Sequence, residues 1–89
     1  MKVSFLKSID EKLSDIGFVK ESETKYGAIY TRYNNDFNFT QVVHITHKAS
    51  GKHILQSYDR TDGKTVVGLT YYELKLFTKK MARLGLRSK

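Results

Sequence analysis

The residues best suited to chemistry are the cations near the C-terminal end of the chain. From Leu74 to Lys89 the sequence has six basic residues and no acidic one, whereas residues 1–73 carry ten basic and nine acidic side chains. Nearly all of the net charge of +7 therefore belongs to this last segment. Clustered cations on one helix are typical of a surface that binds nucleic-acid phosphates. The residues assigned to this surface are Lys75, Lys79, Lys80, Arg83 and Arg87.

Two large side chains, Tyr72 and Leu76, lie among these cations on the predicted helix. With about 100° per residue, both fall away from the apolar stripe of that helix. An exposed pair of this kind suits contact with a protein partner or a second copy of the chain. A third interpretation is a solvated face whose cations favour the negative end of the helix dipole. The stripe itself is predicted to contain Leu74, Phe77, Met81 and Leu84.

The sequence shows no motif for catalysis, and we expect no catalytic residue, metal or cofactor. There is no cysteine to act as nucleophile or thiolate ligand. His44 and His47 are three residues apart on a predicted strand and so point to opposite faces. If residues 49–51 form a three-residue hairpin loop, His47 would lie opposite His53. A slip of one residue in the strand pairing would remove that contact.

Two helices are predicted from periodicity and capping residues. The first begins at Ser4, places Phe5, Leu6, Ile9, Leu13 and Ile16 on one stripe, and ends at Gly17, with Phe18 packed against Leu13. The second begins at Thr70, where Glu73 completes a capping box and Leu69 and Leu74 suit a hydrophobic staple. Gly85 is predicted to end it, with Leu86 packed against Met81.

Alternating patterns between the helices predict strands. Residues 29–33 form one strand, which ends at the turn-forming residues 34–36. The next places Phe37, Phe39, Val43 and Ile45 on one face, and residues 53–58 form a third. Residues 64–68 are a candidate fourth strand. The predicted fold is α+β, in the order α-β-β-β-(β)-α, with both helices on one face of an antiparallel sheet.

Length and composition limit the possibilities further. Eighty-nine residues are enough for one core, so residues 1–89 are predicted to form a single domain. The apolar runs are only a few residues long, too short for a membrane span or the core of a signal peptide. We therefore expect a cytoplasmic protein without a membrane partner.

The order α-β-β-β-α in a small basic chain resembles the double-stranded-RNA-binding fold and the HicA-type toxins that share it. The RNA-binding family has a lysine pair at the start of its second helix, where this chain has residues 69–73 without a lysine. HicA-type ribonucleases have a Gly-Ser-His run entering an early strand, where this chain has Gly27 without a histidine. The resemblance implies the fold and adds a HicA-like ribonuclease lacking the usual histidine as a further alternative.

The two ends of the chain also look like small phage and prophage proteins. These often close with a helix of the pattern LT-x-x-EL…KK…LG, which is matched here by Leu69 to Leu74, Lys79-Lys80 and Leu84 to Leu86. Ile16-Gly17-Phe18 after the first helix adds to the likeness. The resemblance implies a protein encoded by a phage or mobile element.

Overall fold

The first helix begins at a capping box centred on Ser8. The computed structural model describes residues 7–48 and 50–87, and the helix, α1, spans Ile9–Asp15. The Ser8 hydroxyl accepts the Glu11 amide at 3.1 Å, and the Glu11 carboxylate accepts the Ser8 amide at 2.8 Å. This reciprocal pair satisfies two amides that a helix start leaves open. The predicted cap, Ser4, lies outside the described residues.

The end of α1 has the predicted glycine motif. Gly17 has a φ of 97°, a left-handed conformation that residues with a side chain rarely adopt. The Phe18 amide donates to the Leu13 carbonyl and the Gly17 amide to the Ser14 carbonyl, both at 3.0 Å. These are the two hydrogen bonds of a Schellman motif. The motif turns the chain directly into the sheet.

Four antiparallel strands follow α1 and confirm the α+β fold. They are β1 (Val19–Thr24), β2 (Gly27–Asn34), β3 (Phe39–His47) and β4 (His53–Asp59), and they lie side by side in chain order. The hairpin between β3 and β4 brings His47 opposite His53, as a three-residue loop predicts. The last element, α2, spans Tyr71–Arg87.

The fourth strand is not the segment proposed for it. Residues 64–68 make only one isolated bridge, between Val66 and Tyr58. The strand that completes the sheet, and that was not predicted, is β1. Its side chains are mostly exposed and mostly polar. Because β1 lies at the edge of the sheet, it lacks the alternation of apolar residues that identifies a half-buried strand. A bulge between Lys20 and Ser22 interrupts its pairing with β2.

Both helices cover the same face of the sheet. Cross-strand partners share a face, and Tyr30 pairs with Val43 as Ala28 pairs with Ile45. These four side chains form the core together with residues of α1 and α2, including Leu13 and Phe77. Phe37 was predicted on this face, but it lies in the turn before β3 and is exposed. The turn bends at Asn38, which has a φ of 53°.

The second helix has the predicted start and a different end. The Thr70 hydroxyl accepts the Glu73 amide at 3.1 Å, and the Glu73 carboxylate accepts the Thr70 amide at 2.9 Å. The prediction that Gly85 ends the helix is wrong, because α2 continues to Arg87. Gly85 is instead buried inside the helix against His53. Among the described residues, no helix is long and apolar enough to cross a membrane.

The buried side of α2 is rotated from the predicted stripe. Leu74, predicted to be buried, is 42% exposed. With about 100° per residue, the centre of the buried side is displaced by roughly 60°. The rotation follows from two charged residues that point inward and that hydrophobic patterning assigns to solvent. The buried side contains Glu73, Leu76, Phe77, Lys80 and Leu84.

Candidate functional site

Three of the predicted phosphate-binding residues lie on one exposed side of α2. Lys75, Lys79 and Arg83 are four residues apart, so they occupy successive turns of the helix. All three are exposed. The Lys75 ammonium lies 5.2 Å from the centre of the Tyr71 ring, within the range of a cation–π contact. The helix therefore presents a row of cations to solvent.

A groove between the two helices adds cations from α1 to this row. The Arg32 guanidinium donates to both the Ile16 carbonyl and Glu73, so the end of α1 lies beside the start of α2. The opposite ends of the helices frame the groove, which has a volume of about 410 Å³. Its lining consists of Lys7, Ile9, Lys12, Lys79, Ala82 and Arg83.

The four cations of the groove differ in their partners. The Lys7 ammonium lies 2.6 Å from Asp15, and this hydrogen bond raises the pKa of Lys7. Among the described residues, Lys12, Lys79 and Arg83 have no ion pair or side-chain hydrogen bond. Three uncompensated cations from two helices thus surround one depression. We call Lys12, Lys79, Arg83 and the groove between them the basic groove.

The groove keeps its charge because many of the nearby acids are engaged elsewhere. Asp10 and Glu23 contact lysines on the sheet side of the helices, and Glu73 contacts Arg32. Glu21 pairs with Arg60 at 2.7 Å. Asp10, Glu23 and Glu73 are thus engaged by Lys20, Lys80 and Arg32, and the groove cations Lys12, Lys79 and Arg83 stay uncompensated. The charge of the groove is therefore a result of how the ion pairs are distributed.

Lys80 was predicted to be part of the phosphate-binding surface, but it does not lie in the exposed row. It is only 7% exposed, and its ammonium lies 2.8 Å from Glu23 and 3.3 Å from Asp10. Lys20 contacts the same two carboxylates at 2.9 and 3.0 Å. Tyr30 donates its hydroxyl hydrogen to Asp10. We call these five residues the inner network, and it joins α1, β1, β2 and α2.

The inner network shifts the protonation of its members. Burial alone would raise the pKa of Asp10, but the hydrogen bonds from Tyr30 and Lys20 and the charge of Lys80 lower it overall. Burial, followed by the hydrogen bond to Asp10, raises the pKa of Tyr30. Hydrogen bonds to Asp10 and Glu23 raise the pKa of Lys20. Each shift favours the form present at neutral pH, so the network keeps its charges across the neutral range.

A second polar cluster fixes the start of α2. Arg32 donates to Glu73 at 2.8 Å and to the Gln41 side chain at 3.1 Å, and its guanidinium lies 4.2 Å from the centre of the Phe18 ring. Gln41 in turn donates to Ser57 at 2.9 Å. Glu73 therefore serves both as capping residue and as ion-pair partner. The cluster holds α2 against the sheet while its outer side stays open.

The predicted partner interface is only partly on the surface. Leu76 is 3% exposed and belongs to the core, so its assignment to an interface is wrong. Tyr72 is 50% exposed. Its exposed neighbours in the first turn are Tyr71 and Leu74. Large apolar side chains are thus exposed at the start of α2, at positions that differ in part from the predicted ones.

The basic groove contains residues that the sequence did not single out. Lys12 lies on α1 and Lys7 just before it, both among acidic residues of the sequence, and the mixed signs indicate only a solvated face. Their proximity to Lys79 and Arg83 depends on how the helices pack, and no signal in the sequence specifies it. The structure describes the backbone of Arg87 as the end of α2, and the position of its side chain lies outside the described part.

Comparisons with protein-family models, curated proteins and solved structures find no match for this chain. The function of the chain is therefore inferred from the geometry of its own residues.

Proposed function

We propose that this chain is a small binding domain that contacts a nucleic-acid backbone through the basic groove. The supporting observation is that Lys12, Lys79 and Arg83 surround one depression without ion-pair partners among the described residues. Lys75 extends the same charge along α2. A phosphate chain is the polyanion that matches a row of separate cations, because it offers negative charge at regular intervals.

The energetics of such binding depend on released counterions. Each phosphate that a cation neutralises contributes about −0.9 to the slope of log K against log salt for duplex DNA. The basic groove and Lys75 supply four cations, so a slope of about −3 to −4 is expected. Contacts of this kind carry no base sequence information. The proposed activity is therefore backbone recognition.

Titration of labelled duplex DNA, duplex RNA and single-stranded DNA across a salt series tests the proposal. The double variant Lys79→Ala/Arg83→Ala should weaken binding and reduce the slope by about 2. Lys12→Ala should reduce it by about 1, which distinguishes a groove made by two helices from a surface of α2 alone. Lys64→Ala is the matched control, because Lys64 is exposed and lies outside the groove.

Two outcomes would overturn the proposal. One is that none of the three nucleic acids binds measurably at about 50 mM salt. The other is that Lys64→Ala reduces the magnitude of the salt slope as much as Lys12→Ala does. In that case general charge would explain the binding, and the groove would have no specific part in it.

A second candidate function is self-association through the start of α2. Tyr71, Tyr72 and Leu74 are all exposed in the first turn of α2, and a second copy could cover this end of the helix. Light scattering of the wild type and Tyr72→Glu tests it. A dimer that Tyr72→Glu dissociates would support this function, and a monomer in both proteins would remove it.

A further inference from the structure

Two of the three histidines form a pair beneath the last turns of α2. His47 and His53 are cross-strand partners, so both project from the face of the sheet that the helices cover. Their rings pack edge to face, with centres 4.6 Å apart and planes at 70°. His44 is an odd number of residues away from His47 on β3 and points to the opposite face. The chain thus carries a histidine pair and one separate histidine.

The hydrogen bonds of the pair leave ring nitrogens available. His53 Nδ1 lies 2.9 Å from the Gly51 carbonyl, which can only accept, so Nδ1 carries the hydrogen and Nε2 keeps a lone pair. His47 Nδ1 is buried and has no hydrogen-bond partner, and among the described residues it is the only buried side-chain nitrogen or oxygen of this kind. Buried polar atoms are nearly always satisfied, so this nitrogen is a candidate ligand atom.

The glycine inside α2 allows the two rings to converge. A Cβ at Gly85 would lie 2.8 Å from His53 Nε2. The same point lies 3.6 Å from Cε1 of His47, the carbon between its two nitrogens. One atom of each ring, Nε2 of His53 and Cε1 of His47, therefore lies within 3.6 Å of the same position beside the helix. Any residue other than glycine at position 85 would place a side chain there.

We propose that His47 and His53 bind one transition-metal ion of the Zn²⁺ and Ni²⁺ class. Two imidazoles that share an ion at about 2.1 Å per bond have ring centres roughly 4.5–5.2 Å apart, and the observed 4.6 Å fits this range. The carbonyl that holds His53 Nδ1 is the usual orienting partner of a metal-bound histidine. His47 binds through Nδ1 and His53 through Nε2.

The site has two protein side chains and open coordination positions. Among the described residues, no group of three or more histidine, aspartate or glutamate side chains could hold a metal ion. Water or an anion would complete the coordination of the ion. This composition favours ions that prefer imidazole over Ca²⁺ or Mg²⁺, which prefer oxygen ligands.

Calorimetric titration of the untagged protein with Zn²⁺ alone and Ni²⁺ alone tests the site. The wild type should bind one ion per chain, and His53→Asn should weaken that binding by at least about tenfold. His53 is exposed, so this variant should fold normally. His44→Asn is the matched control and should bind like the wild type, because His44 lies on the other face of the sheet.

Two further measurements make the test decisive. The melting temperature of the wild type should rise with added Ni²⁺, and that of His53→Asn should not, because an ion stabilises only the state that binds it. Gly85→Ala should weaken binding, since its methyl group takes the space beside His53 Nε2. Absence of binding at about 1 mM metal, or equal binding by His53→Asn and the wild type, would overturn the proposal.

Discussion

The two sides of α2 carry the same kinds of residue and use them in opposite ways. Lys79 and Lys80 are neighbours in the chain, yet Lys79 lines an open groove and Lys80 is buried between two carboxylates. Leu74 and Leu76 differ in the same manner, since only Leu76 enters the core. The type of a residue does not determine whether it faces the core or the solvent on this helix. That depends on the partners that other elements bring to its position.

The difference separates stability from binding. The inner side joins α2 to α1 and the sheet through Leu76, Phe77 and Lys80, so substitutions there should alter the free energy of unfolding. The outer side has cations without partners among the described residues, so substitutions there should alter binding and leave stability nearly unchanged. Paired substitutions at neighbouring positions test whether stability and binding are separated in this way.

The largest effect is expected for Leu76→Ala. Removing a buried leucine side chain loses its transfer free energy and leaves a cavity, which typically costs about 2–5 kcal/mol. Leu74→Ala, on a partly exposed residue of the same type, should cost less than about 1 kcal/mol. Urea unfolding of both variants measures the difference. Equal destabilisation would show that the two leucines have equivalent surroundings.

Lys80→Ala should have the next largest effect. It removes one of two cations from Asp10 and Glu23, and we expect a loss of about 2–3 kcal/mol. This loss of unfolding free energy is smaller than that for removing one partner of a fully buried ion pair, because Lys20 still contacts both carboxylates. Lys79→Ala should change the free energy of unfolding by less than about 0.5 kcal/mol. If Lys79→Ala were the more destabilising of the two, the inner network would not be the stabilising one.

Thr70→Ala should have a smaller effect, about 1 kcal/mol. It removes the hydroxyl that accepts the Glu73 amide while the ion pair between Glu73 and Arg32 remains. Thermal unfolding followed by circular dichroism measures it. Thr78→Ala is a suitable control, because the Thr78 hydroxyl bonds within the helix to the Leu74 carbonyl and caps neither end. A loss for Thr78→Ala as large as that for Thr70→Ala would contradict the capping role.

The most gradual effect is expected in the dependence of stability on pH. Tyr30 has a folded pKa above its ordinary value of 10.0, so its contribution is complete below pH 10 and is lost as the pH rises toward the folded value. Asp10 has a folded pKa below 3.8, so its contribution is complete above that pH and is lost in stronger acid.

Tyr30→Phe should therefore make the alkaline decline in stability shallower, and Tyr33→Phe should not. Tyr33 is exposed and donates only to Asn38 in the neighbouring turn. Denaturant unfolding at a series of pH values above 9 supplies the slopes. Identical alkaline slopes for Tyr30→Phe and the wild type would show that the tyrosine hydroxyl has no part in this dependence.

Local signals predicted the elements that depend on neighbouring residues. The Schellman motif at Gly17 and the capping box at Thr70 formed as expected, because each involves atoms within a few positions of the chain. The strand β1 could not be predicted in this way. It is a polar edge strand, and its pairing with β2 provides the stability that its own sequence pattern does not show.

Part of the candidate site could also be predicted. The exposed row of Lys75, Lys79 and Arg83 follows from helical spacing, which relates residues along a single element. The placement of Lys80 and the addition of Lys12 could not be predicted in this way. Both depend on contacts between elements that are distant in sequence. Lys80 meets Asp10 of α1 and Glu23 of β1, and Lys12 lies beside Lys79 and Arg83 because α1 packs along α2.

The fold class, the helix caps and the segment that carries the excess positive charge could be predicted from the sequence. These properties depend on composition and on contacts within a few residues. The tertiary fold determines which cations are neutralised, which leucine is buried and which histidines meet. Each of these depends on the free energy of bringing distant groups together, and a lysine such as Lys80 can be buried only where the fold supplies carboxylates that offset the cost of desolvating it.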